Sequence, residues 1–379
     1  MINIHEPKLT LKDILYWLKI AFSKWIGKTK YSFDIEKKFS RTVGVSSTSG
    51  VNTCTEGLFQ IFELLKDSGL KGSVILPSLS YIGAVHAVKN AGFEPIFCDV
   101  EDFHTMAPSW VEIQDKIRMD TVAVLVQHYG GRPVKDIDYI AFECYKNRFL
   151  LIEDCATALG AKYRREGMGT FGDFAVWSFD PMKTITSGDG GMVYCRDPKH
   201  EKDLRQRCFL GYPDLSSTFE ASKFKDSWWE VEPTCIGRRS VLNNLSSALL
   251  DSQLDSLDTF VKSQRKVANL YRNHLLLNPY IELPDKFSSH YKETNFIFWV
   301  KVKEGYRDSL AVFLKENKIF TTFRYWPAHL TDMYKITESL PVTEDIAKNI
   351  LCLPCHKNLS EKEVVYICNK IEEFFTEHI

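Results

Sequence analysis

Between about residues 50 and 195 the chain alternates short β-branched or aromatic runs with stretches of helical character, and this alternation constrains the fold more than any other feature. The runs are Val74-Ile75-Leu76, Pro95-Ile96-Phe97-Cys98 and residues 122–126, 149–152, 175–179 and 192–195; the helical stretches include 58–67, 82–91 and 136–147. Strands separated by helices are joined by crossovers rather than tight hairpins, so their neighbours run mostly parallel in a sheet covered on both faces. The fold class read from this pattern is α/β. Most runs stop at small or polar residues: Pro77-Ser78, Asp99, His128-Tyr129-Gly130-Gly131, Glu153-Asp154 and Ser178. Ligands of open α/β sheets sit beyond the carboxyl ends of the strands, so a site is to be sought there.

At 379 residues the chain exceeds a single core of roughly 100–200 residues, which predicts two domains. A large one over 1–250 begins with an amphipathic helix. A smaller C-terminal α/β domain over 251–379 carries a strand pattern at 295–302 and helices at 307–317 and 361–377. A long helical pattern over 243–277 is predicted to link them. In residues 9–26, Leu11, Ile14, Leu15, Leu18, Phe22 and Trp25 recur at helical spacing with Lys12, Lys19 and Lys24 on other faces. That helix carries too many lysines to cross a bilayer and is expected to dock its apolar face on the protein body.

The 48 Lys plus Arg against 49 Asp plus Glu give a net charge of -1, which supplies no global field for nucleic acid. Ten cysteines lie at irregular spacings and the first residues lack the features of a secretory signal, so a cytoplasmic setting is expected. Cys352-Leu-Pro-Cys355-His356 matches the pattern of covalent haem attachment, but that attachment needs an exported chain, and a zinc site needs four ligands where three cluster. Packed thiols, and no metal, are the expectation.

One block carries chemistry: Leu151-Ile-Glu-Asp154-Cys-Ala-Thr157-Ala-Leu-Gly160, then Gly169-Thr-Phe-Gly172, then Ser178-Phe-Asp-Pro-Met-Lys183-Thr-Ile-Thr-Ser-Gly188-Asp-Gly190-Gly191. A carboxylate ends one strand, a serine and a lysine follow another, and glycines allow close backbone approach behind the lysine. Pyridoxal phosphate chemistry needs these parts: a lysine for a Schiff base with the aldehyde, and an acid that keeps the pyridine nitrogen protonated.

With Asn52-Thr53-Cys54-Thr55-Glu56-Gly57-Leu58, Leu76-Pro-Ser-Leu-Ser-Tyr81, His128-Tyr-Gly130, Gln253-Leu254 and Leu353-Pro354 in collinear order, the chain resembles the DegT/DnrJ/EryC1/StrS family of sugar aminotransferases. The resemblance runs from about residue 33 to 373 and implies the aspartate aminotransferase-like fold type I. It makes Lys183 the Schiff-base lysine and Asp154 the partner of the pyridine nitrogen. Ser178 and Thr55, with backbone donors around Thr53, Cys54 and Glu56 at a helix start, become the phosphate cradle. Tyr81 becomes the ring stacked on the cofactor. Two positions depart from the family pattern. Thr157 stands where Gln or His usually approaches the cofactor's phenolic oxygen. Arg239 stands where an Asn usually reaches the neighbouring subunit's phosphate, and its charged fork suits the same anion.

The implied reaction moves an amino group from L-glutamate to a keto-sugar, most simply a nucleotide-linked keto-deoxyhexose, in amino-sugar biosynthesis for surface polysaccharide. An unactivated oxidised sugar acid such as an oxidised octulosonate is the alternative acceptor, and a cofactor-binding sensor without turnover the alternative role. Dehydratases of the family carry His in place of the lysine, so Lys183 argues against that branch. The resemblance further implies a homodimer with shared active sites, with the acceptor loops expected around 212–229 and 323–329.

Overall fold

The computed structural model describes residues 1–379 apart from 24, 214–226, 228 and 379. Its strands in chain order are β1 (Ser49–Val51), β2 (Ser73–Pro77), β3 (Glu94–Cys98), β4 (Thr121–Gln127), β5 (Leu150–Asp154), β6 (Lys162–Tyr163), β7 (Glu166–Gly167), β8 (Phe174–Ser178), β9 (Gly191–Cys195), β10 (Ile281–Glu282), β11 (Tyr291–Lys292), β12 (Phe298–Val302) and β13 (Ile350–Leu353). The helices are α1 (Leu11–Ala21), α2 (Lys30–Val43), α3 (Cys54–Asp67), α4 (Ile82–Asn90), α5 (Trp110–Gln114), α6 (Ile137–Asn147), α7 (Pro198–Arg207), α8 (Asn244–Leu254), α9 (Leu257–Leu275), α10 (Arg307–Glu316), α11 (Pro341–Asn349) and α12 (Glu361–His378).

Seven strands form the main sheet in the order β1-β9-β8-β5-β4-β2-β3. From β3 to β8 all pairs are parallel, and β9 runs antiparallel to both its neighbours. The period of two along each strand feeds two separate cores. On β4, Val124 and Val126 join Ile35 and Phe39 of α2 and Ile137 and Ile140 of α6, whereas Ala123 and Leu125 join Leu58 and Phe62 of α3 and Val85 of α4. Both faces are therefore covered by helices, as the near-continuous apolar strands require.

A smaller antiparallel sheet, β10-β12-β13, packs on α9, α10 and α12 around Tyr271, Phe298 and Phe374. Residue 250, the expected domain boundary, falls inside α8. Leu250 and Leu254 of α8 and Leu257 and Val261 of α9 belong to the large core, while Val267, Tyr271 and Leu275 of α9 belong to the small one. A fourth cluster, with Leu79, Tyr129, Phe296 and Trp299, joins the carboxyl ends of the large sheet to the small sheet. The chain also starts there: Ile2 bridges Ile319 in parallel, Phe320 N–H donates to the Ile2 carbonyl at 2.9 Å, and Ile4 packs in that cluster.

Two sequence expectations need correction. The helical pattern over 243–277 is two helices, broken at Asp255-Ser256, where Lys12 and Lys38 hold the Asp255 carboxylate at 2.7 and 2.6 Å. The N-terminal helix does dock, against α8, but through its polar side: Asp13 closes a capping box with Thr10 and accepts from Gln253 Nε2 at 2.8 Å. Ile20 is buried, while Leu11, Ile14, Leu15 and Phe22 are exposed.

Candidate active site

The carboxyl ends of β8, β5 and β4 and the amino end of α3 meet at one place. β8 ends at Ser178, which pairs with Gly191, the first residue of β9. Gly191 in turn lies against the start of α3: a Cβ there would sit 2.7 Å from Cys54 N and 2.8 Å from the Trp177 carbonyl oxygen, closer than any side chain tolerates. The glycine thus lets Ser178 approach the first turn of α3. The Thr53 side chain caps that helix, accepting from Glu56 N–H at 3.0 Å, so its hydroxyl is committed to the backbone. A capped helix start of this kind presents free N–H groups and a positive dipole end to an anion.

Asp154 ends β5 almost wholly buried, with Oδ1 accepting from Ala156 N–H at 2.9 Å. Burial pushes its carboxyl above the ordinary carboxylate range, opposed by that N–H and by the charges of Lys183 and His128. Its neighbour Glu153 points the other way and is spent on structure: it accepts from Gly169, Phe171 and Gly172 N–H groups and from His128 Nε2 at 2.9 Å. His128 Nδ1 accepts from Val134 N–H, which fixes the donor at Nε2. His128, Glu153 and Cys155 lie within 4.8 Å of one another, but these bonds make the cluster a strut that holds the loop before β8.

Lys183 follows β8 in a turn closed by its N–H on the Asp180 carbonyl at 2.9 Å. Its Nζ makes no ion pair among the described residues and lies 5.0 Å from the Phe296 ring centroid. Burial first, then the charge of Asp154, pushes the Cys54 thiol up while Lys183 pulls it down, so Cys54, Asp154 and Lys183 share one neighbourhood. Tyr81 immediately precedes α4 as its N-cap residue, with 46% of its surface exposed; its ring meets Tyr325 edge-on at 5.5 Å and lies over Gly83, beside the Thr55 methyl. The structure therefore gathers Cys54, Thr55, Asp154, Ser178 and Lys183 in one cleft, with Tyr81 at its rim.

Two further named residues stand apart from this set. The Thr157 hydroxyl donates to the His128 carbonyl at 2.9 Å. Arg239 is exposed, 5.5 Å from the Phe209 ring, on a segment beside β1, and among the described residues of its own chain no hydrogen bond or ion pair joins it to these side chains. A surface cavity of about 550 Å³ lined by α2 and Arg205 lies elsewhere, and its buried Glu36 is paired with Arg205 and Lys28.

The model of the DegT/DnrJ/EryC1/StrS aminotransferase family matches residues 8–372. The chain belongs to this family. It is 33% identical over 381 residues to a dTDP-4-dehydro-2,3,6-trideoxy-D-glucose 4-aminotransferase of Saccharopolyspora spinosa, covering 100% of this chain and 98% of that one. It is 31% identical to a GDP-perosamine synthase of Escherichia coli O157:H7, with 99% of each chain covered. The crystal structure of the aminotransferase TlmJ from Streptoalloteichus hindustanus superposes with a TM-score of 0.93 at 34% identity, each chain covered fully. The chain is thus a sugar aminotransferase by family.

Family membership implies pyridoxal phosphate, and the cleft fits it: a buried carboxylate for a ring nitrogen, an unpaired lysine for an aldehyde, and a glycine-lined helix start for a dianion. The match begins at residue 8, earlier than the expected 33, and the residues ahead of it also come near Lys183. His5 stacks on Phe296 at 4.6 Å with its Nε2 unpartnered, and burial, then the charges of Arg324, Lys183 and His356, hold its imidazole down at about 3, hence neutral. Nothing local in the sequence marks His5 or Phe296. His5 comes near Lys183 as the first residues run beside residues 318–320, and Phe296 is carried there just ahead of β12. Cys352 and Cys355 are buried thiols, pushed up by burial to about 11 and about 12, and Cys355 Sγ donates to the Asn295 carbonyl. Much of the expected acceptor loop, residues 214–226 and 228, lies outside the described residues.

Proposed function

We propose that the protein transfers an amino group from L-glutamate to a nucleotide-linked keto-deoxyhexose, in the cytoplasm, as a homodimer whose two domains enclose pyridoxal phosphate. The observation that carries this reading is the unpaired Lys183 set beside the buried Asp154 at the strand ends. The nucleotide-linked acceptor rests on the relatives named above, whose names specify dTDP- and GDP-linked sugars.

Bound pyridoxal phosphate supplies an aldehyde that captures amines and a ring that accepts the electron pair left when a C–H bond breaks. Asp154 holds a proton at the ring nitrogen, and its burial strengthens that charge-assisted bond. The N–H groups opening α3, with Ser178 and Thr55, bind the phosphate. Lys183 Nζ takes the proton from the α-carbon of glutamate, and in the second half-reaction gives one to the sugar carbon that receives nitrogen. Tyr81 and Tyr325 flank the opening and limit water access. Because the donor's product leaves before the acceptor enters, ping-pong kinetics are expected.

The test is spectroscopic. Protein loaded with the cofactor should be yellow, bleach with L-glutamate, and recover colour with one member of a panel of dTDP-, GDP- and UDP-linked keto-sugars. Mass spectrometry then identifies the amino-sugar. A band that no amino donor alters would favour a sensor, and colour recovered only by an unactivated keto-sugar acid would move the substrate class.

A further inference from the structure

Gln127 ends β4 at 3% exposure, and its Oε1 has no hydrogen-bond partner. Native proteins seldom leave a buried amide unsatisfied, and such a group asks for a missing partner. Gln127 is paired in parallel register with Asp154, so the two side chains leave the sheet on the same face, side by side at the ends of adjacent strands. Meanwhile the Thr157 hydroxyl, the donor that the family pattern places near the cofactor's phenolic oxygen, is spent on the His128 carbonyl.

The strand order β8-β5-β4 decides what Gln127 faces. In the pyridine ring of the cofactor the phosphate arm and the phenolic oxygen lie on opposite flanks of the line from the ring nitrogen to the aldehyde carbon. With the nitrogen at Asp154 on β5 and the phosphate at Ser178 on the β8 flank, the phenolic oxygen falls on the β4 flank. We propose that the Gln127 amide donates a hydrogen bond to that oxygen, the contact for which Thr157 is too short and already engaged. A turn about its last torsion brings the amide NH₂ to the position of the orphaned oxygen. The proposal rests on the reading of Asp154 and Ser178 given above, and makes Gln127 a cofactor-binding residue.

The contact has a signature beyond turnover. The phenolic oxygen, anionic when bound, holds the proton on the nitrogen that joins the cofactor to Lys183. A donor from Gln127 draws on the same lone pairs, weakens that hold and lowers the pH at which the proton is lost. Gln127→Met, close in volume, and Gln127→Glu, close in shape but an acceptor when ionised, should each bind pyridoxal phosphate at least ten-fold more weakly in titrations of the apoenzyme. The pH midpoint of the visible band should rise by about one unit in Gln127→Met, a ten-fold shift in that equilibrium, and by more in Gln127→Glu. A midpoint and affinity within two-fold of wild type in either folded variant, as judged by circular dichroism, would overturn the proposal. If wild type itself formed no visible band, the reading of Lys183 and Asp154 would fall first. A band present but indifferent to both substitutions would remove Gln127 alone.

Discussion

Asp154 carries opposite demands before and after the cofactor binds. Its carboxyl is raised by burial, so between the ordinary carboxylate range and its raised value the folded protein holds a proton that the unfolded chain has lost. The apoenzyme therefore loses stability as pH rises through that window, and the loss persists above it. Asp154→Asn should melt at a higher temperature than the wild-type apoenzyme near pH 8, with the difference vanishing near pH 4. The same substitution should weaken pyridoxal phosphate by roughly 30- to 100-fold, the worth of a charge-assisted bond. Thermal scans of apo and loaded protein at the two pH values check both halves, and an Asp154→Asn apoenzyme less stable at pH 8 would contradict the argument. Lys183→Ala should keep the fold and lose both the visible band and all transfer, since its Nζ makes no ion pair among the described residues and only faces the Phe296 ring.

At the scale of elements, the proposed phosphate site is a junction of β8, β9 and α3 rather than a motif. Ser178→Ala should weaken pyridoxal phosphate about ten-fold yet leave pyridoxal, which lacks the phosphate, nearly unaffected in the same titration; equal effects on both would remove Ser178 from the phosphate. Gly191→Ala should cost about 1–3 kcal/mol in chemical denaturation, because the new methyl meets backbone at 2.7 and 2.8 Å and the backbone has to shift. These elements were legible in the sequence because burial on both faces writes long apolar runs, and because strand ends carry the polar residues. Ser178, Asp154 and Lys183 could be read from that punctuation. The break at Asp255-Ser256 could not, since no Pro or Gly marks it and the lysines that hold Asp255 come from α1 and α2. Two-residue strands such as β6 and β11 leave no period to read, and they form through pairing with each other. Gln127 escaped because register, not spacing, sets it beside Asp154.

The whole molecule leaves one surface unexplained by a single chain. α1 turns Asp13 inward and leaves Leu11, Ile14, Leu15 and Phe22 in the open, with Trp25 following them; Phe22 is 86% exposed. An apolar stripe of that kind on a folded protein marks a contact surface. A second copy of the chain, the partner proposed above, would also give Arg239 a purpose, since Arg239 is exposed on the chain that carries it and its charged fork suits a phosphate on a neighbouring chain. The two observations make a linked prediction. Leu15→Glu combined with Phe22→Glu should sediment as a monomer, because two carboxylates cannot be buried unpaired at an interface. The same protein should bind pyridoxal phosphate about as weakly as Arg239→Ala does in the dimer, and adding Arg239→Ala to the monomer should then change nothing. A double variant that stays dimeric would place the interface elsewhere. A monomer that keeps full cofactor affinity would show that each site is complete within its own chain.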